Sequence, residues 1–166
     1  MTAATPPPEP LTPSVLFVCL GNICRSPTGE AVFRAYAEAE GPTPVRVDSA
    51  GTSGYHAGEP ADARMRQAGA RRGYSLESRS RQTVADDFRS FDLIVAMDRN
   101  NLRDLRSQAP SDATAEVRLL SDFLEPGAPV DVPDPYYGGE RGFEEVLDLI
   151  ESACPGLLSH LRGEAG

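Results

Sequence analysis

A parallel α/β sheet with helices on both faces is the fold class this sequence predicts, and three features predict it. Short apolar runs without helical spacing alternate with stretches that suit helices. Gly and Pro punctuate the changeovers. The 166 residues, 40% hydrophobic and 25% charged, are enough for one compact domain with a core. The expected architecture is a three-layer sandwich around a four-stranded parallel sheet.

Residues 1–13 hold five Pro and no basic or continuous apolar run, which predicts a disordered tail and neither a signal peptide nor a membrane anchor. A single domain is expected over 14–166. Val15-Leu16-Phe17-Val18-Cys19 is a continuous apolar run closed by Gly21 and Asn22, suiting a buried first strand. Ser26 and Pro27 then read as N-cap and first-turn Pro of a helix stopped by Gly41-Pro42. Val45 to Asp48 is a second short strand, Ala50 to Gly58 a Gly-rich loop, and Ala61 to Arg72 a helix ended by Gly73. Asp92 to Met97 reads as the third strand, Asp98 to Arg106 as a helix broken before Pro110, and Glu116 to Leu120 as the fourth strand. From Phe143 the apolar residues fall at three-and-four spacing through Val146, Leu147, Ile150, Cys154, Leu157, Leu158 and Leu161. Pro155 is expected to kink or split that helix after Ala153.

Composition also restricts function. All 16 cationic residues are Arg and 25 residues are carboxylates, so the net charge is -9, a poor match for nucleic acid or an anionic membrane. Lacking Lys, the chain has no Schiff-base chemistry and no Walker A lysine. Three Cys in a chain of this length argue against a secreted disulfide framework and predict free thiols, hence a reducing, cytoplasmic setting. No apolar run approaches the roughly 20 residues of a spanning helix.

The chemistry sits where strand one meets its helix. Ligands of parallel sheets bind beyond the carboxyl ends of the strands, and Cys19-Leu20-Gly21-Asn22-Ile23-Cys24-Arg25-Ser26 lies there. Backbone N–H groups and the positive end of the helix dipole converge on such a loop, which suits a phosphate-sized dianion. Five residues between Cys19 and Arg25 can wrap once around that anion, with a thiolate beneath phosphorus and a guanidinium across two oxygens. Composition alone supplies about 0.3 matches to Cys-x5-Arg, so the spacing by itself is weak. A buried strand-end Cys would account for Cys19, but not for the octapeptide. Gly21 frees the backbone to turn amides inward, Asn22 tolerates a left-handed conformation, and Ser26 can donate to the thiolate.

The octapeptide with Pro27 resembles the C-x-G-N-x-C-R-S-P loop of the low-molecular-weight protein tyrosine phosphatases. The likeness continues through Asp48-Ser49-Ala50-Gly51-Thr52, Phe91-Asp92, Met97-Asp98, Asn101 to Leu105 and Asp134-Pro135-Tyr136-Tyr137-Gly138, covering roughly residues 14–162. This resemblance implies a four-stranded parallel sheet, a cysteinyl-phosphate intermediate, phosphotyrosine proteins as substrates, and no metal or other cofactor. Residue by residue, it implies Cys19 as nucleophile, Arg25 as oxyanion clamp and Asp134 as general acid. Leu20, Gly21, Ile23 and Cys24 complete the phosphate loop, with Asn22, Ser26 and Ser49 as its bracing network. Inorganic phosphate and similar oxyanions are expected inhibitors.

Elementary chemistry supports these roles. A helix N-terminus and a neighbouring Arg favour thiolate over thiol at Cys19. Expelling a phenolate, whose conjugate acid has a pKa of about 10, is eased by a carboxylic acid on the opposite side. Asp134 lies in a Pro- and Gly-rich loop, although an Asp-Pro there alone would read as a turn. Tyr55, Tyr136 and Tyr137 fall in loops expected at the same end of the sheet and become candidate walls for an aryl group.

Many members of the family carry His shortly before the residues matching Arg81-Gln82, placed to bond the loop Asn. Here Ser78 stands there, which predicts weaker bracing. His56 and His160 are the only histidines, and neither is placed in sequence as a base for Cys19. Arsenate reductases share the loop but use resolving cysteines elsewhere, whereas here the only outside thiol is Cys154. Arginine phosphatases typically have Thr where this chain has Ile23. A phosphoprotein-binding module would need no nucleophile or acid, so intact Cys19, Arg25 and Asp134 favour an enzyme. Cys24 is a candidate disulfide partner for an oxidised Cys19.

Overall fold

A computed structural model describes residues 12–41, 44–135 and 139–163. Its elements are β1 (Ser14–Cys19), α1 (Arg25–Glu40), β2 (Arg46–Gly51), α2 (Ala63–Arg71), α3 (Asp87–Ser90), β3 (Leu93–Ala96), α4 (Arg99–Gln108), β4 (Glu116–Leu119), a 3-10 turn (Leu120–Phe123) and α5 (Glu140–Leu161). The four strands form one parallel sheet in the order β2-β1-β3-β4. The expected α/β sandwich is therefore present.

Alternation along β1 sends its side chains to two cores. Val15 and Phe17 pack with Val47, Leu93 and Val95 against residues of α1, α2 and α5, including Phe33, Met65 and Ile150. Leu16 and Val18 pack with Ala50, Ile94 and Ala96 against Phe88 of α3, Phe91 and Leu105 of α4. All six residues of β1 are buried, which is why the strand reads as an unbroken apolar run rather than an alternating one. Burial of a side chain the size of Phe17 contributes about 1.5–3 kcal/mol. At Gly29 a Cβ would lie 2.7 Å from Phe17 Cδ1, so α1 can cross this close to β1 only with glycine there.

Several boundaries differ from the sequence reading. Pro13, assigned to the tail, has its carbonyl bonded by the Arg46 N–H at 2.8 Å, so the chain joins the sheet before Ser14; residues 1–11 lie outside the described residues. Strand β2 runs on to Gly51, because Ala50 and Gly51 pair with Val18 and Cys19 instead of opening the loop. Helix α1 starts at Arg25, with Cys24 at the N-cap and no side-chain cap, so Ser26 lies inside the first turn. Asp62 caps α2 by accepting the N–H groups of Arg64 and Met65. Helix α5 passes through Pro155 unbroken: Ile150, Ala153, Cys154, Leu157 and Leu158 form one buried stripe across it, and that packing outweighs one lost backbone bond.

Helix α1, following β1, lies on one face, whereas α4, following the adjacent β3, lies on the other. The crevice beyond the carboxyl ends of β1 and β3 is thus a topological switch point.

Candidate active site

Residues 20–24 close the gap between β1 and α1, and five carbonyls from Cys19 to Cys24 are held by hydrogen bonds. Cys19 O accepts the Thr52 N–H at 2.9 Å, Leu20 O the Ser53 N–H at 3.0 Å, and Ile23 O the Asp62 N–H at 2.7 Å. Gly21 O accepts the Ser80 hydroxyl at 2.8 Å, and Cys24 O accepts the Thr28 hydroxyl at 2.7 Å. Bonds on these carbonyls leave the loop amides available for an oxyanion, and the Asn22 N–H points to the Cys19 sulfur at the base. Asn22 makes the turn possible with a φ of 57°, a left-handed conformation that Asn adopts more readily than most residues.

Cys19, a residue 3% exposed, holds its sulfur at the base of this ring. It accepts the Asn22 N–H at 3.3 Å and lies 3.0 Å from Ser26 Oγ. Asn22 Nδ2 donates to the same Ser26 oxygen at 2.7 Å, which leaves the hydroxyl proton for sulfur. Asn22 is held in turn by the Arg81 N–H, which donates to its Oδ1 at 3.0 Å. The bracing expected from a His at position 78 is thus supplied from Ser80 and Arg81. Arg81 is itself fixed by side-chain bonds to Asp87 at 3.0 Å and Asp48 at 3.1 Å.

Arg25 is nearly buried, and its Nη1 donates to Asp98 Oδ2 at 2.7 Å and to Val132 O at 3.0 Å. Those bonds leave the Nε and Nη2 edge to fork an anion. Burial opposes the guanidinium charge, yet the Cys19 sulfur and the Asp98 carboxylate hold its pKa above the ordinary value. Asp134 approaches from the loop beyond β4, with Oδ2 3.8 Å from Arg25 Nη2 and a side chain 38% exposed. Cys24 shares the loop but differs in state: burial, then the charges of Asp62 and Cys19, push its thiol far up.

A cleft of about 540 Å³ joins these groups, lined by Cys19, Gly21, Cys24, Arg25 and Asp134 with Leu20, Ile23, Ser53, Tyr55 and His56 as walls. Leu20 and Tyr55 stand exposed at the rim, and the Tyr55 ring meets the His56 ring edge-on at 4.8 Å. Ser49 does not join the loop network as expected. Its hydroxyl donates to Glu30 Oε1 of α1 at 2.5 Å, because the β2 register turns it toward the helix. Tyr136 and Tyr137 lie outside the described residues.

Sequence reasoning missed Ser53 and His56 in the wall, Val132 behind Arg25, and Ser80 and Arg81 behind the loop; it marks Asp98 as the next carboxylate after Asp134 to supply a proton, whereas the fold sets Asp98 behind Arg25. Asp98 carried a signal, since it follows β3 at the same end of the sheet. His56 was discounted as a base for Cys19; in the fold it borders the cleft with Nδ1 paired to Glu59. Among the described residues, no three His, Cys, Asp or Glu side chains converge as metal ligands, and no helix is long and apolar enough to cross a membrane.

Comparison with known proteins places this geometry. Residues 14–165 match the profile of the family described as "Low molecular weight phosphotyrosine protein phosphatase". The low molecular weight protein-tyrosine-phosphatase of Streptomyces coelicolor is 50% identical over 156 residues, covering 92% of this chain and 95% of that protein. Its counterpart YfkJ of Bacillus subtilis is 44% identical over 153 residues, covering 91% of this chain and 97% of that protein. Among solved structures, a protein tyrosine phosphatase from Entamoeba histolytica with Hepes in its active site superposes with a TM-score of 0.87 at 44% identity, covering 92% of this chain and 98% of that one.

Proposed function

This chain belongs to the low molecular weight phosphotyrosine protein phosphatase family, and from that premise we propose how its own residues divide the work. The activity is hydrolysis of phosphotyrosine and small aryl phosphates through a cysteinyl-phosphate intermediate. The observation that carries the assignment of residues is the meeting of Cys19, Arg25 and Asp134 in one cleft, although Asp134 lies 115 residues after Cys19.

Cys19 attacks phosphorus from the base of the loop. Its electron pair forms the S–P bond while the P–O bond to the tyrosine ring breaks. The loop amides and the Nε and Nη2 edge of Arg25 hold the equatorial oxygens, matching the charge of the transferring group. Asp134 delivers its proton to the departing phenolate. In the second step its carboxylate takes a proton from water, whose oxygen attacks phosphorus. The S–P bond breaks, inorganic phosphate leaves, and the thiolate is restored with Ser26 O–H and Asn22 N–H as its hydrogen-bond donors.

Tyr55, Leu20, Ile23 and His56 border the entry and suit a planar ring on a long side chain. Tyr136 and Tyr137 are kept as candidates to contact the aryl group on their place in the sequence, directly after Asp134-Pro135. Inorganic phosphate and related oxyanions would occupy the loop competitively. A net charge of -9 disfavours nucleic acid as a partner, and three free thiols fit the cytoplasm.

The test is hydrolysis of an aryl phosphate beside phosphotyrosine, phosphoserine and phosphoarginine peptides, with Cys19→Ser as control. Turnover of the aryl phosphate and phosphotyrosine, lost in Cys19→Ser while phosphate still binds, is expected. Undiminished turnover in that variant would falsify the mechanism, and preference for phosphoarginine would reassign the substrate.

A further inference from the structure

The loop that carries Asp134 is fastened to the sheet two residues upstream, at Val132. Its N–H donates to Met97 O at 2.9 Å, and its carbonyl accepts from Arg25. One residue earlier, Asp131 makes a second attachment that the catalytic description leaves unused. Its Oδ1 accepts the backbone N–H of Arg99, the first residue of α4, at 2.9 Å. The same carboxylate takes the Arg99 guanidinium side-on, with Nε at 3.2 and 3.3 Å and Nη2 at 3.1 Å. The Arg99 hydrogen bonds, reinforced by its charge and that of Arg25, hold the Asp131 carboxyl below the ordinary carboxylate range.

We propose that Arg99 and Asp131 are positioning residues for the general acid: their fork fixes the 131–134 segment against the start of α4, so that the Asp134 carboxyl reaches the leaving oxygen. This rests on the reading of Asp134 as the acid. Neither Arg99 nor Asp131 lines the cleft that holds Cys19 and Asp134. Their side chains are 69% and 39% exposed, so the fold does not depend on them, and what the fork sets is the angle at which the loop leaves Val132. An exposed ion pair is screened by salt, so the clamp links the acid's placement to ionic strength.

Single-turnover phosphoryl transfer from phosphotyrosine and from nitrophenyl phosphate separates the possibilities, because the phenol of tyrosine needs the proton far more than nitrophenol does. Asp134→Asn first tests the underlying reading: it should slow phosphotyrosine selectively. If it slows both substrates equally, the acid assignment falls and the clamp falls with it. Given that selectivity, Arg99→Ala should lower the phosphotyrosine to nitrophenyl phosphate rate ratio by about threefold to fivefold, the upper range for an exposed pair. Nitrophenyl phosphate binding should not change. Asp131→Asn keeps an acceptor for the Arg99 N–H but loses the charge, and should give a similar loss. The double variant should be no worse than either single one. In about 1 M salt the wild-type ratio should fall toward that of Arg99→Ala, whose own ratio stays put. Equal slowing of both substrates by Arg99→Ala, additive losses in the double variant, or an unchanged ratio would overturn the proposal while leaving Asp134 in place.

Discussion

Asn22 donates through Nδ2 to Ser26 Oγ at 2.7 Å, and that bond directs the Ser26 hydroxyl proton to Cys19 Sγ, 3.0 Å away. The sulfur therefore acquires a donor whose direction is set by a residue of the anion loop itself. Because Arg81 fixes Asn22 from outside, the chain of bonds runs from Arg81 through Asn22 and Ser26 to the sulfur. Stabilising charge on sulfur matters twice, at attack and again when the thiolate leaves.

A hydrogen bond to a charged partner contributes about 1.5–3 kcal/mol, so Ser26→Ala should slow turnover by about tenfold to a hundredfold. Asn22→Gly preserves access to the observed φ of 57° and loses only the side-chain bonds, whereas Asn22→Ala loses both. The kcat/KM of Asn22→Ala should fall below that of Asn22→Gly. Equal values would mean that backbone conformation at this position is unimportant to the loop.

Arg25→Lys removes the geometry that lets one side chain bind Asp98 and Val132 through Nη1 while turning its other edge to the anion. A single ammonium cannot serve both. Turnover should drop by about a hundredfold to a thousandfold, the scale of removing an oxyanion donor. Phosphate affinity, read by competitive inhibition, should weaken in parallel; near-native kinetics would remove Arg25 from its role.

Gly51 lies directly beneath the loop. A Cβ there would meet Leu20 O at 2.7 Å and Asn22 N at 3.2 Å, both backbone atoms that cannot swing aside. Gly51→Ala should cost about 1–3 kcal/mol of stability by overpacking. Its activity at temperatures where it remains folded should fall further than that of Gly58→Ala. Gly58 has open space around its Cβ position but a φ of 86°, so it reports backbone strain without pressure on the loop. Denaturant melts beside kcat/KM for the two variants check this.

Cys19 and Cys24 border the same cleft, yet only the Cys19 sulfur receives hydrogen bonds from Asn22 N–H and Ser26 O–H, while burial pushes the Cys24 thiol far up. Burial likewise raises the Cys154 thiol to about 12. Since the thiolate is the form that alkylates, iodoacetamide at neutral pH should label Cys19 alone, and excess phosphate should protect it. Labelling of Cys154 should grow only as pH climbs toward about 12 or as the chain unfolds. Peptide mapping that finds Cys24 modified first would reverse the assignment of reactive sulfur.

What the sequence determined by itself is what short range controls. The continuous apolar run of β1, the glycine and asparagine after it and the start of α1 are neighbours in the chain, so the anion loop from Cys19 to Pro27 is written in consecutive residues. Strand and helix order follows from local periodicity in the same way, and with it the placement of Cys19 at the carboxyl end of β1. Tertiary structure decided what depends on register and on packing between distant segments. Ser49 was assigned to the loop by likeness, but the pairing of β2 with β1 turns its hydroxyl to Glu30. Pro155 signalled a break, but a buried stripe extending on both sides of it kept α5 whole. Arg25 meets Asp98 across 73 residues, Asn22 meets Arg81 across 59, and Arg99 meets Asp131 across 32. No local pattern encodes such pairs: each exists because the sheet brings strand ends together, and a one-residue slip in pairing would dissolve it.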